Sequence, residues 1–405
     1  GMMWEKVKLG DIATCIQPGP FGSQLHNSDY SKEGTPIIMP KDIVGGAIVH
    51  SGLLKVSEEH VKRLSRHQVY EGNLMVARKG DVRKCAYITA NENGWMTGSD
   101  CLKVVLDESK CYPKFIYYQL RSEHIGRWLE KVSIGATMPS LNTGLLSGIE
   151  MVLPPIEIQK QIAGILSAYD DLIENNQKQI KLLEEAAQRI YKEWFVDLRF
   201  PGHENTKIVD GVPEGWSICP FSSKVDIMSG GTPKTSIPDY YNGRIPFYTP
   251  KDSDGAFFAY KTQINITEGG LKNCNSRLYP SKTVIITARG TVGKTTILAI
   301  PMAMNQSCYA LKMKENDAPY YLFFALNNEI KALQTMANGG VFNTIIGKTF
   351  DSINIQIPKD PLIYGFEETV RPFMEQIKNK LQANSKLVEA RNRLLLKMMN
   401  GEVKV

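Results

Sequence analysis

Apolar residues follow two periods along this chain. Short runs such as NLMVARKG (Asn73–Gly80), CAYITA (Cys85–Ala90), TVIITARG (Thr283–Gly290), TTILAI (Thr295–Ile300) and NIQIP (Asn354–Pro358) are bounded by turn residues and read as strands. Two long stretches keep a helical period instead. In the first, core-type positions fall at Ile162, Leu166, Tyr169, Ile173, Asn176, Ile180, Leu183, Ala187, Ile190 and Trp194, in alternating steps of four and three. The second repeats the pattern at Phe366, Val370, Phe373, Ile377, Lys380, Asn384, Leu387, Arg391, Leu394 and Met398. A seam with that spacing calls for a partner helix. Pro201-Gly202 and Gly401 stop the two stretches, and Pro372 predicts that the main second helix begins there, behind a short helical segment. Shorter helices are predicted near 113–131 and 319–337, each followed by a Gly-containing loop near Gly135 and Gly339.

The strand-rich stretches are two copies of one unit. TPIIMPKDIVGGA (Thr35–Ala47) returns as IPFYTPKDSDGA (Ile245–Ala256), VARKGDVRK (Val76–Lys84) as TARGTVGK (Thr287–Lys294), SDCLKV (Ser99–Val104) as CYALKM (Cys308–Met313), and IEMVLPP (Ile149–Pro155) as INIQIPK (Ile353–Lys359). The order is kept, so duplication is the simplest account. The chain divides into a mixed α+β unit at 1–153, a helix at 154–200, a second unit at 201–357 and a second helix at 358–405. The two seams (Leu166, Ile173, Asn176, Ile180 and Leu183; Ile377, Asn384, Leu387 and Leu394) are expected to pair antiparallel as a coiled coil, giving a pseudo-two-fold repeat. Two separate amphipathic helices, each packed on its own unit, are the alternative. The polar residues Asn176, Lys380 and Asn384 either fix register or mark wet ends of the seam.

The chain has 405 residues, too many for one core, with ordinary globular composition. No apolar run reaches the roughly 18 residues of a membrane span, and Trp4–Lys8 is mixed polar, unlike a leader. Seven scattered cysteines without a CxxC pair predict a reducing cytoplasm, with neither disulfides nor bound metal. Net charge is +6; residues 1–200 balance 24 basic against 24 acidic side chains, so the surplus lies beyond them. Basic residues cluster at matched places in the two units. Lys41, Arg63, Arg66, Arg78, Lys79, Arg83 and Lys84 in the first, and Lys251, Arg277, Arg289 and Lys294 in the second, are the candidate DNA contacts. Lysine neutralises phosphates and arginine also reads base edges. His67 is a candidate phosphate contact.

Two similar units held in inverted orientation suit a DNA reader whose half-sites differ, because the two copies differ. A helix of about 33 residues spans about 50 Å, against about 34–36 Å between half-sites one turn apart. Rival readings are a protein-binding coiled-coil scaffold and a nucleotide-binding protein. ARGTVGKT (Ala288–Thr295) nearly matches the phosphate-binding loop, but the residues after it read as a strand, where that loop needs a helix. Six histidines form neither a ligand set nor a triad, so no catalytic residue is assigned.

The chain resembles, from end to end, the specificity (S) subunits of type I restriction-modification systems. The resemblance rests on GPFGSQLHNSDY (Gly19–Tyr30), LPPIEIQKQIAGIL (Leu153–Leu166), GGTPKTSIPDYYNGRIPFYTPKD (Gly230–Asp252), RGTVGK (Arg289–Lys294) and NQSCYAL (Asn305–Leu311), in two ordered copies. KDPLIYGF (Lys359–Phe366) departs from it, standing where a Gln-rich helix start belongs. The resemblance implies two target-recognition domains, each reading part of a bipartite DNA sequence, and an antiparallel helical spacer. It also implies partners: double-stranded DNA, two modification (methyltransferase) subunits and restriction subunits. S-adenosylmethionine, ATP and Mg are expected in those partners and no cofactor in this chain, which is not itself an enzyme.

Overall fold

The computed structural model describes residues 4–133, 140–336, 344–345 and 347–399. The loops expected at Gly135 and Gly339 and the cap expected at Gly401 lie outside them. The chain forms two compact units, Gly1–Ile173 with Lys386–Val405, and Glu174–Ser385.

In the first unit a four-stranded antiparallel sheet has the order Ala13–Pro18, Cys101–Leu106, Leu74–Ala77, Cys85–Tyr87. Its central strands are buried on both faces, which is why they read as unbroken apolar runs. Strand alternation sends Leu74, Val76, Leu102 and Val104 into one core, and Met75 and Cys101 into a second. The first core is closed by the helices Pro113–Leu120 and Glu123–Val132. A smaller sheet runs Met96–Thr97, Thr35–Ile38, Leu54–Val56, Tyr30–Ser31, with the first pair parallel. Glu5–Lys8 pairs antiparallel with Glu150–Leu153 just before the long helix.

The second unit repeats this plan. Its main sheet is Val225–Ser229, Cys308–Met313, Val284–Thr287, Thr295–Leu298, with Phe258–Ala259 added parallel at the edge. Val284, Ile286 and Leu311 enter one core while Ile285 and Ala310 enter another, the same alternation as in the first copy. The small sheet again holds one parallel pair, Tyr241–Tyr248 with Ala303–Met304. One helix, Pro319–Met336, stands where the first unit has two. There, Ser122 takes an extended backbone and its side chain accepts from Ile125 N–H, capping a new helix.

Both long helices form: Ile156–Tyr191, which continues into a π-helical turn at Lys192–Val196, and Asp360–Met399. Each unit contains a stretch of both, and in each the stretches run antiparallel. In the first unit Ile162 and Leu166 share a core with Leu395 and Met398, and Arg391 pairs with Asp170. In the second, Asn176 Nδ2 donates to Asn384 Oδ1 at 2.8 Å, and Tyr191 meets Phe366 edge-on at 5.8 Å. Rising numbers on one helix meet falling numbers on the other.

The expected start at Pro372 is corrected. The second helix begins at Asp360, with Pro361 in the first turn, where no amide hydrogen is needed. Asp360 Oδ1 accepts from Asn316 Nδ2 at 3.1 Å. Pro372 sits inside the helix on its exposed face, while Val370 and Met374 bury the opposite side. Its missing hydrogen bond therefore faces water.

Candidate nucleic-acid interface

The repeated Pro-Lys-Asp is a cap. Each copy forms a 3-10 turn, Pro40–Asp42 and Pro250–Asp252. The Asp carboxylate accepts the amide three residues back, Met39 N at 2.9 Å and Thr249 N at 2.8 Å. The chain needs proline for its fixed φ and aspartate for its acceptor, which leaves Lys41 and Lys251 exposed.

The basic loops are equivalent hairpins. Ala77 N donates to Lys84 O at 3.0 Å and Thr287 N to Lys294 O at 2.9 Å. Arg78 N reaches Asp100 O at 2.7 Å, as Ala288 N reaches Ser307 O at 2.7 Å; Leu141 N donates to Arg78 O at 2.8 Å, as Ile345 N donates to Ala288 O at 2.9 Å. Gly80 and Gly290 both hold φ 77°, a left-handed turn that favours glycine. The hairpin overturns the phosphate-loop reading of Ala288–Thr295: the strand Thr295–Leu298 follows the loop, and Thr287, not a ligand, takes the amides of Gly293 and Lys294.

Similar backbones carry different wiring. In the first unit Arg83 forks between Glu123 at 2.5 Å and Glu130 at 3.4 Å, which raises its pKa. It packs over Gly126, where a Cβ would sit 2.5 Å from Arg83 Nε. Lys84 Nζ donates to Pro40 O at 3.0 Å, and Lys79 pairs with Asp100 at 3.1 Å. Arg63 Nη2 donates to Gln24 O at 2.7 Å, Lys41 Nζ to Gly52 O at 3.2 Å, and Arg78 lies over the Phe21 ring at 5.8 Å. Arg66 Nε donates to His67 Nε2 at 3.1 Å. His67 is buried, a correction to its reading as a phosphate contact. Burial first, then the Arg66 and Lys103 charges, push its pKa down to about 4.

In the second unit Arg277 sits beside the Tyr279 hydroxyl. Lys251, Arg289 and Lys294 are exposed, and among the described residues none has a side-chain ion-pair partner. Lys294 borders a cleft of about 680 Å³ formed by the first long helix, its own hairpin and the helix Pro319–Met336. Arg189 and Lys192 border it too. Arg189 stands on the helical stretch, outside the basic clusters of the two units; in the structure its side chain is exposed and lines the cleft.

At the seam, Leu166, Ile173, Asn176, Ile180, Ile377 and Asn384 are buried, and Leu183, Leu387 and Leu394 half-buried. Among the described residues no group of His, Cys, Asp and Glu is placed to hold a metal, and no helix is long and apolar enough to cross a membrane.

The chain thus carries a duplicated unit with a basic hairpin in each copy, and each unit holds antiparallel stretches of the two long helices. The family model for the type I restriction modification DNA specificity domain matches residues 2–185 and again 213–382, and the chain belongs to this family. It is similar over 99% of its length to the specificity subunit of type I restriction enzyme MjaIX of Methanocaldococcus jannaschii, at 24% identity and covering 94% of that protein. The HindI specificity subunit of Haemophilus influenzae is 22% identical, with 99% of both chains covered. The crystal structure of the type I S subunit from M. genitalium superposes with a TM-score of 0.55 at 17% identity, over 98% of this chain and 96% of that one, a likeness of fold.

Proposed function

We propose that this chain is the non-catalytic subunit that gives a type I restriction-modification complex its DNA sequence, each unit reading one half of an asymmetric bipartite target. One observation carries the reading: the same main-chain scaffold presents a basic hairpin in both copies, with different side chains on each, so the half-sites differ. The paired long helices set the length of the unread gap, and their outer faces dock two modification subunits. Leu172 and Leu182 are exposed on the first helix and Leu396 on the second, apolar positions suited to covering by a partner. Methyl transfer from S-adenosylmethionine and ATP- and Mg-dependent restriction belong to the partner subunits, and the chain works in the cytoplasm, where DNA is.

The test is selection of duplexes from a random pool by the complex reconstituted with modification subunits. Enrichment of one gapped sequence with unlike halves is expected. Recovery of an ungapped sequence, or of no sequence, overturns the reading.

A further inference from the structure

The two recognition hairpins differ in how their charge is neutralised. In the first unit the position after Val82 is Arg83, whose guanidinium is held by Glu123 and Glu130, and Arg121 reaches Gly45 O at 2.8 Å and lies over Tyr117. Arg83 and Arg121 line a space of about 300 Å³ between this hairpin and the turn Ile43–Gly46. In the second unit the repeat places Gly293 and Asn327 at the corresponding positions. Asn327 is turned inward, accepting from Thr295 Oγ1 at 2.7 Å and donating to Phe323 O at 2.8 Å. The second unit holds the cleft of about 680 Å³, lined by Arg189 and Glu185 from the long helix and Lys294 from the hairpin, with Glu185 paired to Lys181 at 4.0 Å. Among the described residues neither Arg189 nor Lys294 has an ion-pair partner, and both are exposed. Lys192, on the same rim, is held by Asp197 at 2.7 Å.

We propose that this cleft is a phosphate-binding channel for the DNA backbone, and that Arg189 and Lys294 of the second unit therefore carry more of the sequence-independent, salt-sensitive share of binding than Lys79 and Arg83 of the first unit's hairpin. Uncompensated cations in a groove draw a polyanion and release its counterions; cations already paired with carboxylates contribute less, because the pair must first be given up. Arg189 makes the long helix itself part of the DNA-contacting surface. The inference rests on the DNA-reading function proposed above.

The experiment measures affinity of the complete methylating complex for its selected duplex and for an unrelated duplex, across a salt series. Variants are Arg189→Gln with Lys294→Gln, and, in the first unit, Lys79→Gln with Arg83→Gln. The Arg189/Lys294 pair is expected to weaken both duplexes by a similar factor, leaving their ratio unchanged, and to lower the slope of log affinity against log salt by about 2. The Lys79/Arg83 pair is expected to leave that slope within about 0.5 of the parent's. A parental slope in the Arg189/Lys294 variant, while the parent still discriminates its duplex, overturns the channel and leaves the DNA-reading function intact. A parent that does not discriminate overturns that function. Loss of modification subunits from the complex with DNA slope unchanged assigns the cleft to a protein partner and equally overturns the proposal.

Discussion

At the scale of single residues, wiring decides what a charge can do. Arg83 is identical in type to a DNA-reading arginine, yet Glu123 and Glu130 hold it against the helix Glu123–Val132. Replacing it by Met should lower the thermal stability of the first unit by about 1 kcal/mol, the scale of a partly exposed ion-pair network, read as a shift in melting temperature. His67 sets a pH dependence. Its folded pKa lies near 4, below the unfolded value, so the folded ring stays neutral while the unfolded one protonates. Its contribution is present above about pH 6.5 and is lost as pH falls toward 4, up to about 3 kcal/mol. Urea unfolding at pH 7 and pH 5 should show a smaller loss in His67→Gln than in the parent; equal losses reject this account. Neither residue's role was legible in the sequence. A basic cluster gives composition, while the acids that neutralise Arg83 stand 40 and more residues away.

At the scale of elements, periodicity was the strongest signal and its polar exceptions the most informative. Asn176 and Asn384, left open between register and wet ends, meet each other while buried, which favours register. Asn176→Leu and Asn384→Leu singly should each cost about 1–3 kcal/mol, because each removes a partner from a buried amide. The double variant should recover most of that cost while admitting shifted helix pairings. A double-mutant cycle by urea unfolding checks it, and strict additivity would reject the coupling. Pro372 shows the limit of local rules. A proline is incompatible with a helix interior only if the hydrogen bond it lacks must be made, and an exposed turn lets water supply the partner. Helix existence was readable from the seam; the start was not, since it depends on Asp360 finding Asn316 from a different segment.

At the scale of the whole molecule, the duplication itself was legible, because four matched segments kept their order although their sequences had drifted. What the sequence concealed was asymmetry between the copies. Tyr118 donates to Asp170 at 2.5 Å, and Asp170 pairs with Arg391, a polar contact between the first unit's globular part and its helices. The matching place in the second unit holds Phe324, Met374 and Ala187, all buried in one apolar core. If the helices act as the spacer, matched seven-residue insertions near Gln177 and near Asn384, which preserve the seam, should lengthen the preferred gap in duplex selection. An unchanged gap would remove the spacer role.

The hairpins' main-chain anchoring has one more consequence. Each loop is fastened at both ends by amide-to-carbonyl bonds that ask nothing of the side chains between them. Such a frame fixes the ends of Lys79–Arg83 and Arg289–Gly293 through the main chain, and inside them it constrains Gly80 and Gly290, whose left-handed turn favours glycine, more than the exposed side chains beside them. If these loops read DNA as proposed, a change of their exposed side chains alters the sequence read while the fold that carries them stays as it is.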